Sequence, residues 1–160
     1  SRTWASRART RSIPGRLLPA TPPAAMERVR ALEAQVRELP QVQIPTDHVI
    51  HAGLYARTIC IPAGVILTGA EIACATLLVF DGHAAVTIGD ATQELAGRHV
   101  LPASAGRKQA FLALEDTHLT MLFATEATDV ATAEAQFTSE PDALMSRKPG
   151  ARNYINITGE

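Results

Sequence analysis

Two periods of apolar residues divide the chain. Between Met26 and Leu39, the residues Val29, Leu32, Val36 and Leu39 recur at spacings of three, four and three, which draws an apolar stripe along one face of a helix. Glu27, Arg28, Arg30, Glu33 and Arg37 fill the other faces with opposite charges three or four residues apart. Pro40 ends the pattern. A helix this short is marginal alone in water, so the stripe must pack on the body of the protein or on copies of itself. From Gln41 to Thr125 the period falls to about two. "LYARTICI", "VILTGAEI", "ATLLVF", "HAAVTI", "QELAG", "HVLPA", "RKQAFLAL" and "HLTMLFA" alternate, separated by turn residues. Asp81-Gly82 reads as a hairpin and Gly89-Asp90 as a second turn. Many short strands with no helical stretch among them predict an all-β sandwich or barrel. After Thr125, "TDVATAEAQF" and "PDALMSRK" read as helix pieces, the first capped by Thr128 or Asp129 and the second opened by Pro141. Tyr154, Ile155 and Ile157 leave the tail free to add an edge strand or to remain loose.

Composition sharpens this outline. The 160 residues suit one domain. Apolar residues make up 46% but aromatics only 4%, so the core must be built from Val, Ile, Leu and Ala. No apolar run approaches the ~18 residues of a membrane span. Cys60 and Cys74 are too few for a disulfide framework and read as buried thiols in a reducing compartment. Charge is uneven: residues 1–25 hold Arg2, Arg7, Arg9, Arg11 and Arg16 and no acid, whereas residues 40–160 carry a net −6. The aperiodic, proline-punctuated segment 1–25 is expected to be a disordered or extended basic arm. It reads as a nucleic-acid-binding arm acting through those five arginines, as an arm wrapping a neighbouring subunit, or as leading sequence without a role ahead of Met26. The divisions expected are therefore an arm (1–25), an amphipathic helix (26–40), a β-barrel (41–125) and a C-terminal helical segment and tail (126–160).

"IPAGVILTG", "FDGHAAVTIGDATQELAG" and "HVLPASAGRKQAFLALEDTHLTMLF" together resemble the cupins, most of all the short cupin-like proteins encoded by tailed bacteriophages and prophages. The resemblance covers about half the chain. It implies a double-stranded β-helix, a jelly-roll barrel that is often dimeric. It also places the family's metal ligands: counting from Gly64 and Gly97, the His, His, Glu and His positions fall on Ala70, Ile72, Thr76 and Gln109. A transition metal needs three or four converging imidazole, carboxylate or thiolate ligands, and these side chains do not offer them. The glycine framework is kept and the ligand set is not.

Substitute chemistry is sparse. On a strand Glu71 should point away from the face that Ala70 and Ile72 share, and Cys74 toward it. His48 and His51 precede the barrel, and His83, His99 and His118 read as surface or edge residues. Ser104, Arg107 and Lys108 form a small-residue loop with two cations, readable as a solvated turn or as an anion or partner contact. Glu115–His118 reads first as a hairpin turn rather than an acid–base cluster. No catalytic constellation emerges.

These readings point to a non-catalytic, metal-free, self-associating structural or binding protein. The expected partners are further copies of the chain, through Val29, Leu32, Val36 and Leu39, and other virion proteins. No membrane and no cofactor is expected. The phage resemblance implies capsid decoration or tail attachment, with assembly in the host cytoplasm before incorporation into a virion. The alternatives are a metal-dependent cupin enzyme using other ligands, and a small-molecule-binding barrel lined by Leu, Val and Ala.

Overall fold

Alternation of buried and exposed side chains is plainest in β1 (Thr46–His51), which buries Thr46, His48 and Ile50 and exposes the residues between them. The structure is a computed structural model and describes residues 17–160. β1 is followed by β2 (Leu54–Ile61), β3 (Ile66–Thr68), β4 (Thr76–Ile88), β5 (Ala91–Ala103), β6 (Ala110–Ala113) and β7 (Thr117–Ala124). A last strand, β8 (Asn153–Ile157), lies parallel to β1. The strand order is β3-β6-β4-β7-β2-β1-β8, with β5 on the other edge of β4. The tail therefore does add an edge strand.

β4 curls the sheet. Its first half pairs Leu77–Asp81 with β7, and its second half pairs Ala84–Val86 with β6, both along the same edge. A strand that changes partner in this way must bend, and Gly82 is the bend. A Cβ there would lie 2.6 Å from Thr117 Cα, so only glycine lets β7 approach. The Thr117 hydroxyl accepts the His83 N–H at 3.1 Å across the same corner. Asp81-Gly82 is thus not a hairpin: β4 runs unbroken through it, because Gly82 serves a close approach between strands and not a reversal. The reversal comes at Gly89-Asp90, where Gly89 has φ +61° and Ile88 pairs with Ala91. From there β5 runs back along all of β4, so "QELAG" and "HVLPA" form one strand. The result is a mostly β, curled half-barrel with two helices, as the barrel reading expects.

α1 (Pro23–Arg37) begins at Pro23, a favoured first-turn residue. It stops three residues before Pro40, where Gln41 Nε2 donates to the carbonyls of Val36 and Leu39. Its stripe does not face away from the protein. Ala25 and Val29 are buried in the chain itself, Leu32 and Val36 are half-buried, and Leu39 lies past the helix end and exposed. The expected arm also changes. Arg2, Arg7, Arg9, Arg11 and Arg16 lie outside the described residues, but part of residues 17–25 packs on its own barrel. Leu18, 1% exposed, joins the barrel core and bridges Ala103, and the Thr21 hydroxyl accepts from the Lys108 backbone N–H.

The core has two parts. One packs on the curled sheet with Ile61, Phe80, Val86, Leu101 and Phe111 among others. The other concentrates the scarce aromatics: Tyr55, Phe123 and Phe137 stack with centroids 5.5–6.4 Å apart. Phe137 ends α2 (Val130–Phe137), which is capped by Asp129 accepting from Thr132 N at 2.8 Å. Two 3₁₀ turns, Pro141–Ala143 and Met145–Arg147, carry the chain on to β8. No helix of the described chain is long and apolar enough to cross a membrane.

Candidate functional site

A half-open cavity of about 1000 Å³ lies between the sheet, the end of α1 and the 3₁₀ turns, at the upper end of the range of small-molecule sites. Ile59, Leu67, Leu78, Phe111, Leu119 and Met121 supply its apolar wall. The C-terminal end of α1, the segment that follows it and the 3₁₀ turns form its rim. Ala70, Ile72 and Gln109, three of the four positions where the family resemblance places metal ligands, also line it.

Arg107 stands among them. It is only 2% exposed, on a loop held by reciprocal backbone bonds with Ile72. Its two terminal nitrogens donate to the Ser104 carbonyl at 2.6 Å and to Thr76 Oγ1 at 2.8 Å. Its Nε is buried with no acceptor. Among the described residues no carboxylate forms an ion pair with it. Burial accordingly lowers its pKa to about 10. The nearby Cys74 thiol is in turn pushed up by burial, with Arg107 opposing.

Lys108 is equally hidden but matched. Its Nζ donates to Glu33 Oε2 at 2.7 Å and to the Gly69 carbonyl at 2.8 Å, tying α1 to the cavity loop. Gln109 donates through Nε2 to the Thr87 carbonyl at 3.0 Å. The 104–108 loop is therefore no solvated turn. Its two cations are folded inward because Leu18 and Thr21 cross over them, with Ser104 N donating to the Leu18 carbonyl.

These residues do not fit a divalent metal. Ala70 and Ile72 have no donor atoms, Thr76 Oγ1 is engaged by Arg107, and the guanidinium places a positive charge where a cation would sit. Among the described residues no three His, Cys, Asp or Glu side chains come together elsewhere to hold one. Glu71 points outward, as parity predicts, and pairs with Arg30 at 2.8 Å. Cys60 and Cys74 are free and half-buried, not fully enclosed.

Two further clusters were missed by the sequence. His48 is not a surface residue ahead of the barrel: it is 1% exposed on β1. Tyr55 OH donates to its Nδ1, and its Nε2 donates to Asn153 Oδ1, each at 2.7 Å. Burial lowers its pKa below the ordinary 6.5, the Asn153 bond only partly opposing. Beside it, Glu134 receives Arg57 at 2.8 Å, Arg147 at 2.9 Å and the Ser146 hydroxyl. Burial pushes the Glu134 carboxyl up, but those hydrogen bonds outweigh it and hold the pKa below the usual value. The odd/even alternation of β1 was the one available signal for His48, since it shares parity with Thr46 and Ile50.

No family model matches the chain, and no curated protein does. Solved structures do resemble it. A cupin superfamily protein from Desulfitobacterium hafniense DCB-2 is 17% identical over 58% of this chain and 87% of that one, with a TM-score of 0.44. KdgF from a Halomonas species is 19% identical over 55% and 86%, with a TM-score of 0.44. The salicylate 1,2-dioxygenase of Pseudoaminobacter salicylatoxidans is 12% identical over 61% of this chain but 30% of its own, with a TM-score of 0.43. Likenesses this distant add nothing about function, and the fold class rests on the strand pairing described above.

Proposed function

We propose that the protein is a non-catalytic, metal-free cupin-like barrel that binds a small molecule in the half-open cavity. The observation that carries this reading is the cavity itself, with Ala70, Ile72 and Gln109 on its wall and the charge of Arg107 beside them. Positions 70, 72 and 109 offer no metal-ligand set, and an apolar wall with a few fixed polar groups suits recognition better than Lewis-acid chemistry. The test is titration of the full chain with an uncharged naphthalene fluorophore such as prodan, alongside metal analysis of the purified protein. Saturable binding at one site per chain, weakened by Ala70→Phe, which fills the cavity, is the expected result. One equivalent of tightly held Zn, Fe, Mn or Ni inside the barrel would instead favour the metal-dependent enzyme.

The self-associating virion component remains a second reading, supported by the apolar edge at β8. Tyr154 and Ile155 there are more than half exposed, and β8 ends the sheet with an unpaired side open to another strand. Sedimentation equilibrium tests it: wild type should associate at micromolar concentration, and Ile155→Asp should be monomeric. A monomeric wild type removes this reading and leaves the binding barrel untouched.

A further inference from the structure

Arg107 is a buried cation with no counterion among the described residues. Residues 1–16, outside the described structure, contain neither Asp nor Glu. An unpaired charge in an apolar interior is strongly unfavourable. The bonds it makes position the guanidinium without neutralising it, because the Ser104 carbonyl and the Thr76 hydroxyl are both uncharged acceptors. Of the five N–H donors of a guanidinium, these two bonds engage two, and Nε is buried without an acceptor. The group is therefore fixed in place with donors to spare.

The rest of the cavity narrows what would fill that gap. Its lining carries five cationic side chains (Arg37, Arg57, Arg107, Lys108 and Lys148) against two carboxylates, Glu33 and Glu140. Glu33 is already shared by Lys108 and Arg37, and Arg57 is matched by Glu134 from outside the lining. Arg107 is thus the deep cation left over. Around it the wall is apolar, from Ile59 and Leu78 to Leu119 and Met121.

Resting on the binding-barrel reading, we infer that the occupant is a monocarboxylate with an apolar body, its carboxylate paired with Arg107 and its body against the apolar wall. A planar guanidinium meets a carboxylate with two parallel hydrogen bonds. Arg107 is itself buried, which strengthens the pair and makes a neutral isostere a poor substitute. Lys108 is not the anchor: its ammonium is held by Glu33 and Gly69, and it fastens α1 over the site.

Calorimetric titration of the full chain at neutral pH with octanoate, octanamide and acetate tests this assignment. Octanoate should bind at least tenfold more tightly than octanamide. It should bind roughly a hundredfold more tightly than acetate, which leaves the apolar wall unfilled. Arg107→Gln should bring octanoate down to the affinity of octanamide while leaving octanamide unchanged. If that variant fails to fold by circular dichroism, Thr76→Val, which removes one of the two bonds orienting the guanidinium, should cost octanoate several-fold and spare octanamide. Equal binding of octanoate and octanamide by the wild type overturns the carboxylate assignment while the binding barrel stands. A preference for octanoate that survives Arg107→Gln overturns the anchor. Binding of neither compound, nor of prodan, overturns the barrel reading as well.

Discussion

Two arginines look into the same cavity from opposite electrostatic situations. Arg57 reaches Glu134 at 2.8 Å and Ser146 at 3.0 Å, and lies over the Phe137 ring at 5.5 Å. Arg107 holds a carbonyl and a hydroxyl and meets no carboxylate among the described residues. The first is a finished structural joint that fastens β2 to the C-terminal segment. The second leaves a charge open, and the fold bears its cost. Buried charge is tolerated either because the chain matches it or because something else does, and the two sites separate those cases.

The sharpest way to break the comparison is to unmatch the first site. Glu134→Ala leaves Arg57 buried without its carboxylate and loosens Arg147, so unfolding in urea should show a loss of about 3–5 kcal/mol. Replacing the pair together, as Arg57→Met with Glu134→Leu, should recover most of that loss. If it does not, the network does more than balance charge.

The opposite sign is expected at the second site. With its pKa lowered to about 10, Arg107 binds its proton more weakly in the folded protein than in the unfolded chain. Its charge therefore destabilises the fold at every pH below about 10, and that cost fades only as pH rises above it. Arg107→Met removes the charge and two hydrogen bonds, which partly cancel, and should leave the ligand-free protein unchanged or stabilised by roughly 1 kcal/mol. A loss as large as that of Glu134→Ala would mean that Arg107 is structural after all.

A smaller effect tests how far the matched network reaches. Tyr55 OH donates to His48 and receives Arg57 at 3.5 Å, so His48 is held neutral beside a cation. Its lowered pKa means that its contribution is complete above the ordinary 6.5 and is lost as pH falls from there toward the folded value. The melting temperature should decline modestly over that acidic window. His48→Gln should start lower and show a shallower decline, and parallel slopes would remove His48 as the cause.

Local pattern made much of this legible. β2 matches "LYARTICI" residue for residue, and Gly89-Asp90 turns where its dipeptide says it should. Asp129 caps α2 and Pro141 opens the next turn, because caps and turns depend on near neighbours only. The stripe of α1 was legible as well, but not what covers it: a period reveals that a face is apolar, not whether the chain or a copy buries it. Asp81-Gly82 misled for a similar reason. A glycine that reverses the chain and one that admits a passing strand look alike in sequence, and Thr117, which decides between them, lies 35 positions away.

The sequence by itself determined β2, the Gly89-Asp90 turn, the Asp129 cap and the absence of ligand-type side chains at positions 70, 72, 76 and 109, since each follows from residue identity or short spacing. Only the tertiary structure decided that Arg107, Lys108, His48 and Glu134 are buried, and that just one of the two cations on the cavity loop has a carboxylate. Burial of a charge is set by what folds across it. Here the covers are Leu18 and Thr21 over the cavity loop and the C-terminal segment over β1 and β2, segments distant in sequence that meet only once the sheet has curled.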